Sequence, residues 1–273
     1  MTTDAGSYEF EDDPDTAVEL ERLKRQAEFA RPLERRLLNA AGLRQGMTAL
    51  DMGCGPGLVA VEMADLVGSS GSVTGVDISD TLLATARRYA TACGADHIQF
   101  QRGNVYELDL PKNHFDFAYT RFFVQHLERP GDALDNIRRV LKPGGTLCVL
   151  DIDDGWLSLV PEPAVYAEFN RRSMAGQAAK GGDRHVGRKL GRHLQKAGFV
   201  DAAVDIVPVT SAQLGMEVFL DLAISPKWKM TAPDQRDLAH REYQEICELV
   251  KDPHAWGFLG LFLAMGTVPA STE

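Results

Sequence analysis

From residue 47 onward, short apolar runs alternate with stretches whose apolar positions recur at helical spacing. Met47, Ala49, Leu50 and Met52 form the first run, which predicts a strand over 47–52. Leu58, Val61, Ala64 and Leu66 follow at helix period, which predicts a helix at about 57–67. The same reading predicts strands over 72–77, about 97–102, 115–119 and 146–151, with helices at about 80–93 and 130–141. Ser79 or Asp80 is placed to cap the helix beginning at 80. Regular strand–helix alternation implies a parallel sheet covered by helices on both faces.

The rhythm breaks after residue 151. A helix is expected over 164–178, another over 186–197, and strands over 200–208 and about 257–267. Residues 211–252 look helical apart from a loop at 225–233. Upstream, residues 1–13 are acidic and aperiodic. Pro14 suits the first position of a helix, and Leu20, Leu23, Ala27 and Ala30 share one helical stripe. Leu33, Leu37, Leu38 and Ala41 continue it beyond Pro32, until Gly42 and Gly46 close it. The expected organisation is therefore an N-terminal helical cap (1–46) and an α/β domain (47–273). Insertions at about 152–184 and 211–252 exceed what a bare α/β domain needs, and a substrate lid is expected there.

Composition changes this picture little. The 273 residues are 44% hydrophobic and 25% charged, ordinary for a globular protein with a sizeable core. The net charge of −10 disfavours a polyanionic partner, so no nucleic acid is expected. The basic stretch Arg184–Lys189 reads as the solvated face of a helix rather than an RNA patch. Cys54, Cys93, Cys148 and Cys247 show no redox or zinc spacing, and with the acidic N-terminus they point to a cytoplasmic protein without a signal peptide. The longest apolar run, Trp256 to Val268, spans 13 residues, too short to cross a bilayer.

The chemistry concentrates in Asp51-Met52-Gly53-Cys54-Gly55-Pro56-Gly57. An apolar strand runs into a turn of three glycines, and a helix opens directly after it. Glycine admits close backbone approach, and the unpaired amides of a helix start face a ligand there. The dinucleotide fingerprint is G-x-G-x-x-G; the spacing here is G-x-G-x-G with Asp51 in front. This resembles the first motif of the class I S-adenosylmethionine-dependent methyltransferases. Leu141-Lys142-Pro143-Gly144-Gly145, a turn before strand 5, resembles a second hallmark of that family, and the likeness covers about 47–151.

The resemblance implies a Rossmann-like, seven-stranded, mostly parallel sheet with an antiparallel last strand and helical lid insertions, and S-adenosyl-L-methionine as cofactor. It places Asp51, Gly53, Cys54, Gly55, Gly57, Ile78, Val105 and Thr120 at the cofactor. Asp77 would accept from the ribose hydroxyls, its other reading being a helix cap. Asn104 stands where the family commonly has Asp near the adenine, and could equally be a turn residue. Arg121 would pair with the cofactor carboxylate or an acidic substrate, or else form a surface ion pair. His126 is read as a general base or a packed histidine, and Asp151, like Asp153, as a base or a solvated loop group. Tyr8 and Gln26 would fold over the cofactor. Gln125, Trp156, Tyr166 and Trp228 are acceptor-site candidates, within an aromatic concentration that suits a partly apolar small molecule but would equally fill a lid core.

The implied activity is in-line transfer of a methyl group to a small-molecule metabolite, with alignment as the protein's main task. No metal and no membrane partner are expected, and a homodimer is left open. The competing readings are an NAD(P)-linked oxidoreductase and a relative that binds the cofactor without turnover.

Overall fold

The structure is a computed structural model that describes residues 31–95 and 97–270. Tyr8, Phe10, Gln26 and the periodic stretch Pro14–Ala30 lie outside the described residues. Five parallel strands form the centre of the sheet: β1 (Thr48–Met52), β2 (Ser72–Asp77), β3 (Ile98–Arg102), β4 (Phe115–Arg121) and β5 (Leu141–Ile152). β6 (Ser158–Val160), β7 (Val200–Thr210) and β8 (Trp256–Thr267) complete it, with β8 antiparallel to β5, β6 and β7. The order is β3-β2-β1-β4-β5-β8-β6, with β7 on the far side of β8.

The helices are α1 (residues 31–40), α2 (Leu58–Val67), α3 (Asp80–Ala92), α4 (Pro130–Val140), α5 (Tyr166–Ala178), α6 (Leu190–Lys196), α7 (Ser211–Leu214), α8 (Met216–Ala223), α9 (Ser225–Met230) and α10 (Arg236–Cys247). The two-residue period of the strands sorts side chains between two cores. Leu50, Ala118 and Val149 face α4 and α6. Ala49, Phe117 and Cys148 face α1 and α2. A third cluster joins the two insertions to each other: Phe169 of α5 packs with Phe219 and Leu220 of α8 and Ile246 of α10. The two insertions therefore share a core of their own.

Four expectations need correction. The sheet has eight strands, because the first insertion contributes the short β6 against Gly257. β5 starts at Leu141, and the Pro-Gly-Gly segment is an irregularity within it, between the pairs Phe115–Leu141 and Phe117–Thr146. Residues 225–230 are helical, not a loop: Pro226 occupies the first turn of α9, where a missing amide hydrogen costs nothing. The expected helix over 186–197 is also split, with a 3-10 turn at Gly187–Lys189 before α6.

Candidate active site

The strand order reverses between β1 and β4, which opens a crevice at the carboxyl ends of the strands. The glycine turn fills one wall of it. Gly53 and Cys54 donate their amides to the Val76 carbonyl at 2.8 and 3.0 Å, which binds the turn to β2. Gly55 and Gly57 have φ of 51° and 80°, a region open to glycine at low cost. Their roles differ. A Cβ on Gly57 would sit 2.8 Å from the Ala86 Cβ, whereas one on Gly55 would meet nothing within 4 Å among the described residues. Gly57 thus allows α2 to pack on α3, and Gly55 presents bare backbone to the crevice.

Acidic side chains surround this turn. Asp77 accepts from the Gly55 amide at 2.8 Å and from the Ser79 amide at 3.0 Å. Ser79, not Asp77, caps α3, its hydroxyl accepting from Leu82 at 3.2 Å. Asp51 is buried, and its Oδ2 has no hydrogen-bond partner among the described residues. Burial pushes its carboxyl up to about 7; Arg121 opposes the shift, while Glu34 and Asp77 add to it. Glu34, on α1, accepts from the Tyr119 hydroxyl at 2.7 Å and from Arg121 Nη1 at 3.1 Å. Arg121 is therefore held by an internal carboxylate rather than a surface one, and Glu34 belongs to the site although nothing in its local sequence marks it.

The remaining cofactor candidates divide. Ile78 is 37% exposed next to Asp77, an apolar face open at the crevice. Asn104 takes the turn role with its side-chain oxygen, which accepts from Tyr106 at 3.0 Å, and Val105 is buried behind it. Cys54 is buried, and burial pushes its thiol well above the usual range, so it supplies packing and not a nucleophile. Thr120 is fully buried with its hydroxyl unpartnered among the described residues.

On the acceptor side, Phe122 has φ of 51° and leads the chain from β4 into a 3-10 turn, Val124–His126. Gln125 is engaged by internal partners. It is buried, its amide donates to Asp151 Oδ2 at 3.1 Å, its carbonyl accepts from Gln177 Nε2 at 2.9 Å, and its Oε1 accepts from Arg184 Nη1 at 2.9 Å. Asp151 is equally enclosed. Burial pushes its carboxyl up to about 7 against the amides of Ile152, Gln125 and Val124 and the charge of Arg184. It fastens the 3-10 turn to β5. His126, in the same turn, is half-buried.

Asp153 is occupied by Arg188 and His185. Asp154 receives two hydrogen bonds from Arg184, at 2.8 and 2.9 Å, and an ion pair from the fully buried Lys227 of α9. Within the basic stretch 184–189, Arg184 is drawn into an internal ion pair, while Arg188 and Lys189 lie exposed, as a solvated face requires, and pair with Asp153 and Asp183. Of the aromatic candidates, Tyr166 lies buried in the lid core with its hydroxyl 3.4 Å from the Leu157 carbonyl. Trp228 is half-buried against His240, and Trp156 is exposed, edge-on to Phe262.

Residues 50–149 match the family model described as "Methyltransferase domain". An uncharacterized 37.1 kDa protein in transposon Tn4556 of Streptomyces fradiae is 33% identical over 83% of this chain and 66% of its own length. The ubiquinone/menaquinone biosynthesis C-methyltransferase UbiE of Azotobacter vinelandii is 36% identical over 42% of this chain and 46% of its own. The chain thus spans less than two thirds of either relative. A solved phosphoethanolamine N-methyltransferase 2 of Haemonchus contortus, in complex with phosphomonomethylethanolamine and S-adenosylhomocysteine, superposes at TM-score 0.60 with 18% identity. It covers 88% of this chain and 53% of that one, and at that identity it speaks for the fold alone. The residues present also fit the family's cofactor: a bare glycine backbone at the strand reversal, an anchored carboxylate beside it, an exposed isoleucine, and an unpartnered buried carboxylate oxygen able to meet a cation. Residues 50–149 thus form a methyltransferase domain of the class I S-adenosylmethionine-dependent type.

Proposed function

We propose that this protein transfers a methyl group from S-adenosylmethionine to a small, partly apolar acceptor held between the strand ends and the lid. The observation that carries the reading is the Gly55 backbone, open toward the crevice and anchored by Asp77 at the strand reversal. When bound, the cofactor supplies an activated methyl group on a sulfonium. The chain's own residues then have to orient and to exclude water. Gly53–Gly57 would hold the amino-acid end, with Asp51, Glu34 and Arg121 setting the charge beside it. Asp77 would meet the ribose hydroxyls with the lone pairs not used by Gly55 and Ser79. Ile78 and Asn104 would border the adenine.

The turn Val124–His126 is fixed to β5 by Asp151 and to the lid by Gln177 and Arg184. Such fixation suits a reaction in which alignment supplies much of the rate. His126, half-buried in that turn, would take a proton from acceptors that must lose one. The similarity to a quinone-biosynthesis C-methyltransferase supports an aromatic, electron-rich acceptor, which needs little base assistance. Residues 152–184 and 211–252, joined by their common core, would form the lid.

Calorimetric titration with S-adenosylhomocysteine tests the cofactor site. Incubation with S-adenosylmethionine and a panel of hydroquinones and phenols, with detection of the demethylated cofactor, tests the reaction. Absence of binding by folded protein would refute the reading. Binding without turnover on any acceptor would leave a cofactor-binding protein of another activity.

A further inference from the structure

One face of the sheet is only partly covered. In β8 the side chains of Trp256, Phe258, Phe262 and Ala264 share that face, by the two-residue period. α6 and the 3-10 turn before it cover its far end: Gly187 lies against Phe262, and Gly191 against Val204. Val160 of β6 stands opposite Trp256, and Ile206 and Val204 of β7 stand opposite Phe262 and Ala264. Directly opposed residues point to the same side of a sheet. Trp156 and Ile206 both lie against Gly260, between the two ends. Trp156, Val160, Val204, Ile206 and Trp256 are each between 39% and 51% exposed. Single exposed apolar side chains need no explanation, but a contiguous strip of them with two tryptophans does.

We propose that this strip is the self-complementary interface of a homodimer, with a second copy of the chain as its occupant. Two features select that occupant. The strip is symmetric about Gly260, which stands four residues from Trp256 and four from Ala264, the neighbour of Val204. A two-fold axis lying in the interface and crossing the strip there sets Val160 and Trp256 of one copy on Val204 and Ile206 of the other. The two Trp156 side chains then meet at the axis. The ends of the strip also carry opposite charge. Glu162 follows Val160 by two residues, and Arg192 follows Gly191, which touches Val204. Both are exposed. The same axis brings Arg192 of each copy to Glu162 of the other, giving two equivalent ion pairs.

The open edge of β7 is not the route of association. Asp201 has φ of 53° beside a register shift between Val200 and Ala203, and Pro208 removes an amide donor. Such devices discourage pairing between edge strands. A lipid surface also accepts tryptophans, but a net charge of −10 disfavours an anionic one. That charge opposes self-association at long range too, a repulsion screened beyond about 8 Å at physiological salt. The contact rests on the first insertion, to which Trp156 and Val160 belong. Asp154, in the same 3-10 turn as Trp156, holds Arg184 and Lys227. A dimer therefore braces the root of that insertion.

Sedimentation velocity of the whole chain at physiological salt, from about 1 to 100 μM, tests the proposal by mass action. Tryptophan emission is a second readout, since two of the three tryptophans lie on the strip. Twice the chain mass is expected at the upper concentrations, with the emission shifted to the blue in step. Trp156→Ser should weaken association by about tenfold or more, as loss of a central aromatic anchor does. Arg192→Glu and Glu162→Arg should each weaken it severalfold, and the double variant should recover it. A monomer at every concentration, a dimer indifferent to Trp156→Ser, or a double variant no stronger than the single ones would overturn the proposal. Should Trp156→Ser fail to fold, the charge exchange decides alone. A monomer that floats with vesicles of phosphatidylcholine and phosphatidylglycerol would overturn the proposal as well and give the strip to a lipid surface.

Discussion

The amide of Gly55 donates to the Asp77 carboxylate at 2.8 Å, across 22 residues of sequence. One hydrogen bond thus couples the glycine turn after β1 to the acid after β2. Asp77 fixes the turn's backbone, and in the function proposed above it also meets the cofactor ribose. Replacement by Ala should therefore do more than remove a ligand contact. The Gly55 and Ser79 amides lose their acceptor, and the turn loosens. Cofactor-product affinity should fall more than tenfold by calorimetry, with the far-ultraviolet circular dichroism unchanged because Ser79 still caps α3. Unaltered affinity would remove Asp77 from the site.

Gly55→Ala and Gly57→Ala should separate binding from folding. Both positions have positive φ, which costs a non-glycine residue about 1 kcal/mol. A Cβ at Gly55 points into open space, while at Gly57 it collides with Ala86 and Phe100. Gly57→Ala should lower the melting temperature more, by the added cost of overpacking, about 1–3 kcal/mol. Gly55→Ala should melt near the wild type and lose cofactor-product binding. The reverse ranking in thermal melts would contradict the packing described for the turn.

Much of the fold was legible because the strand and helix periods are clean from residue 47 to 151. The first three strands begin and end within about a residue of expectation. Legibility failed where partners are distant in sequence. Gln125 and Asp151 have the polarity of site residues, and only the folded chain shows them bonded to each other, with Gln177 and Arg184 also held on Gln125. Glu34 was invisible for the same reason, since Arg121 lies 87 residues away. The stretch 225–233 reads as a loop from sequence, yet Pro226 lies in the first turn of α9, where proline is a start signal as much as a stop.

Asp51→Asn should stabilise the ligand-free protein while weakening cofactor binding. The carboxyl oxygen without a partner can become an amide NH2, and the other still accepts from the Ala60 amide. Burial raises the folded-state value to about 7, above the ordinary 3.8 of an aspartate. The folded protein then binds a proton that the unfolded chain releases between those values. This group's contribution is complete at low pH and declines as pH rises to 7, where the ionised form must be buried. The advantage of Asp51→Asn should therefore grow from pH 4 to pH 7 and level off above, reaching about 1–3 kcal/mol. Urea denaturation at several pH values measures it, and a pH-independent difference would show that Asp51 does not titrate in this range.

The buried charges of the lid make a prediction about asymmetry. Asp154 stands between two cations, Arg184 through two hydrogen bonds and Lys227 through an ion pair, with Lys227 also donating to Asn170 Oδ1 at 2.8 Å. Burial pushes the Lys227 ammonium down to about 8; Asp154 opposes this, and the like charge of Arg184 adds to it. Replacing Lys227 by Met leaves Asp154 neutralised by Arg184 and fills the volume with an apolar chain of similar length. The cost should stay below about 2 kcal/mol, since exchanging a buried ionic partner for a packed hydrophobe is often near neutral. Asp154→Asn instead leaves two buried cations facing each other without a counter-charge, which should cost about 3–5 kcal/mol. Because the carbonyl of Gln125 and the turn leading to His126 are fastened to the same lid segment, that variant should also raise hydrogen exchange at residues 124–126, while Lys227→Met leaves it unchanged. Equal destabilisation by the two substitutions in urea would mean that Arg184 does not neutralise Asp154 by itself, and that both cations are needed to hold the lid against the strand ends.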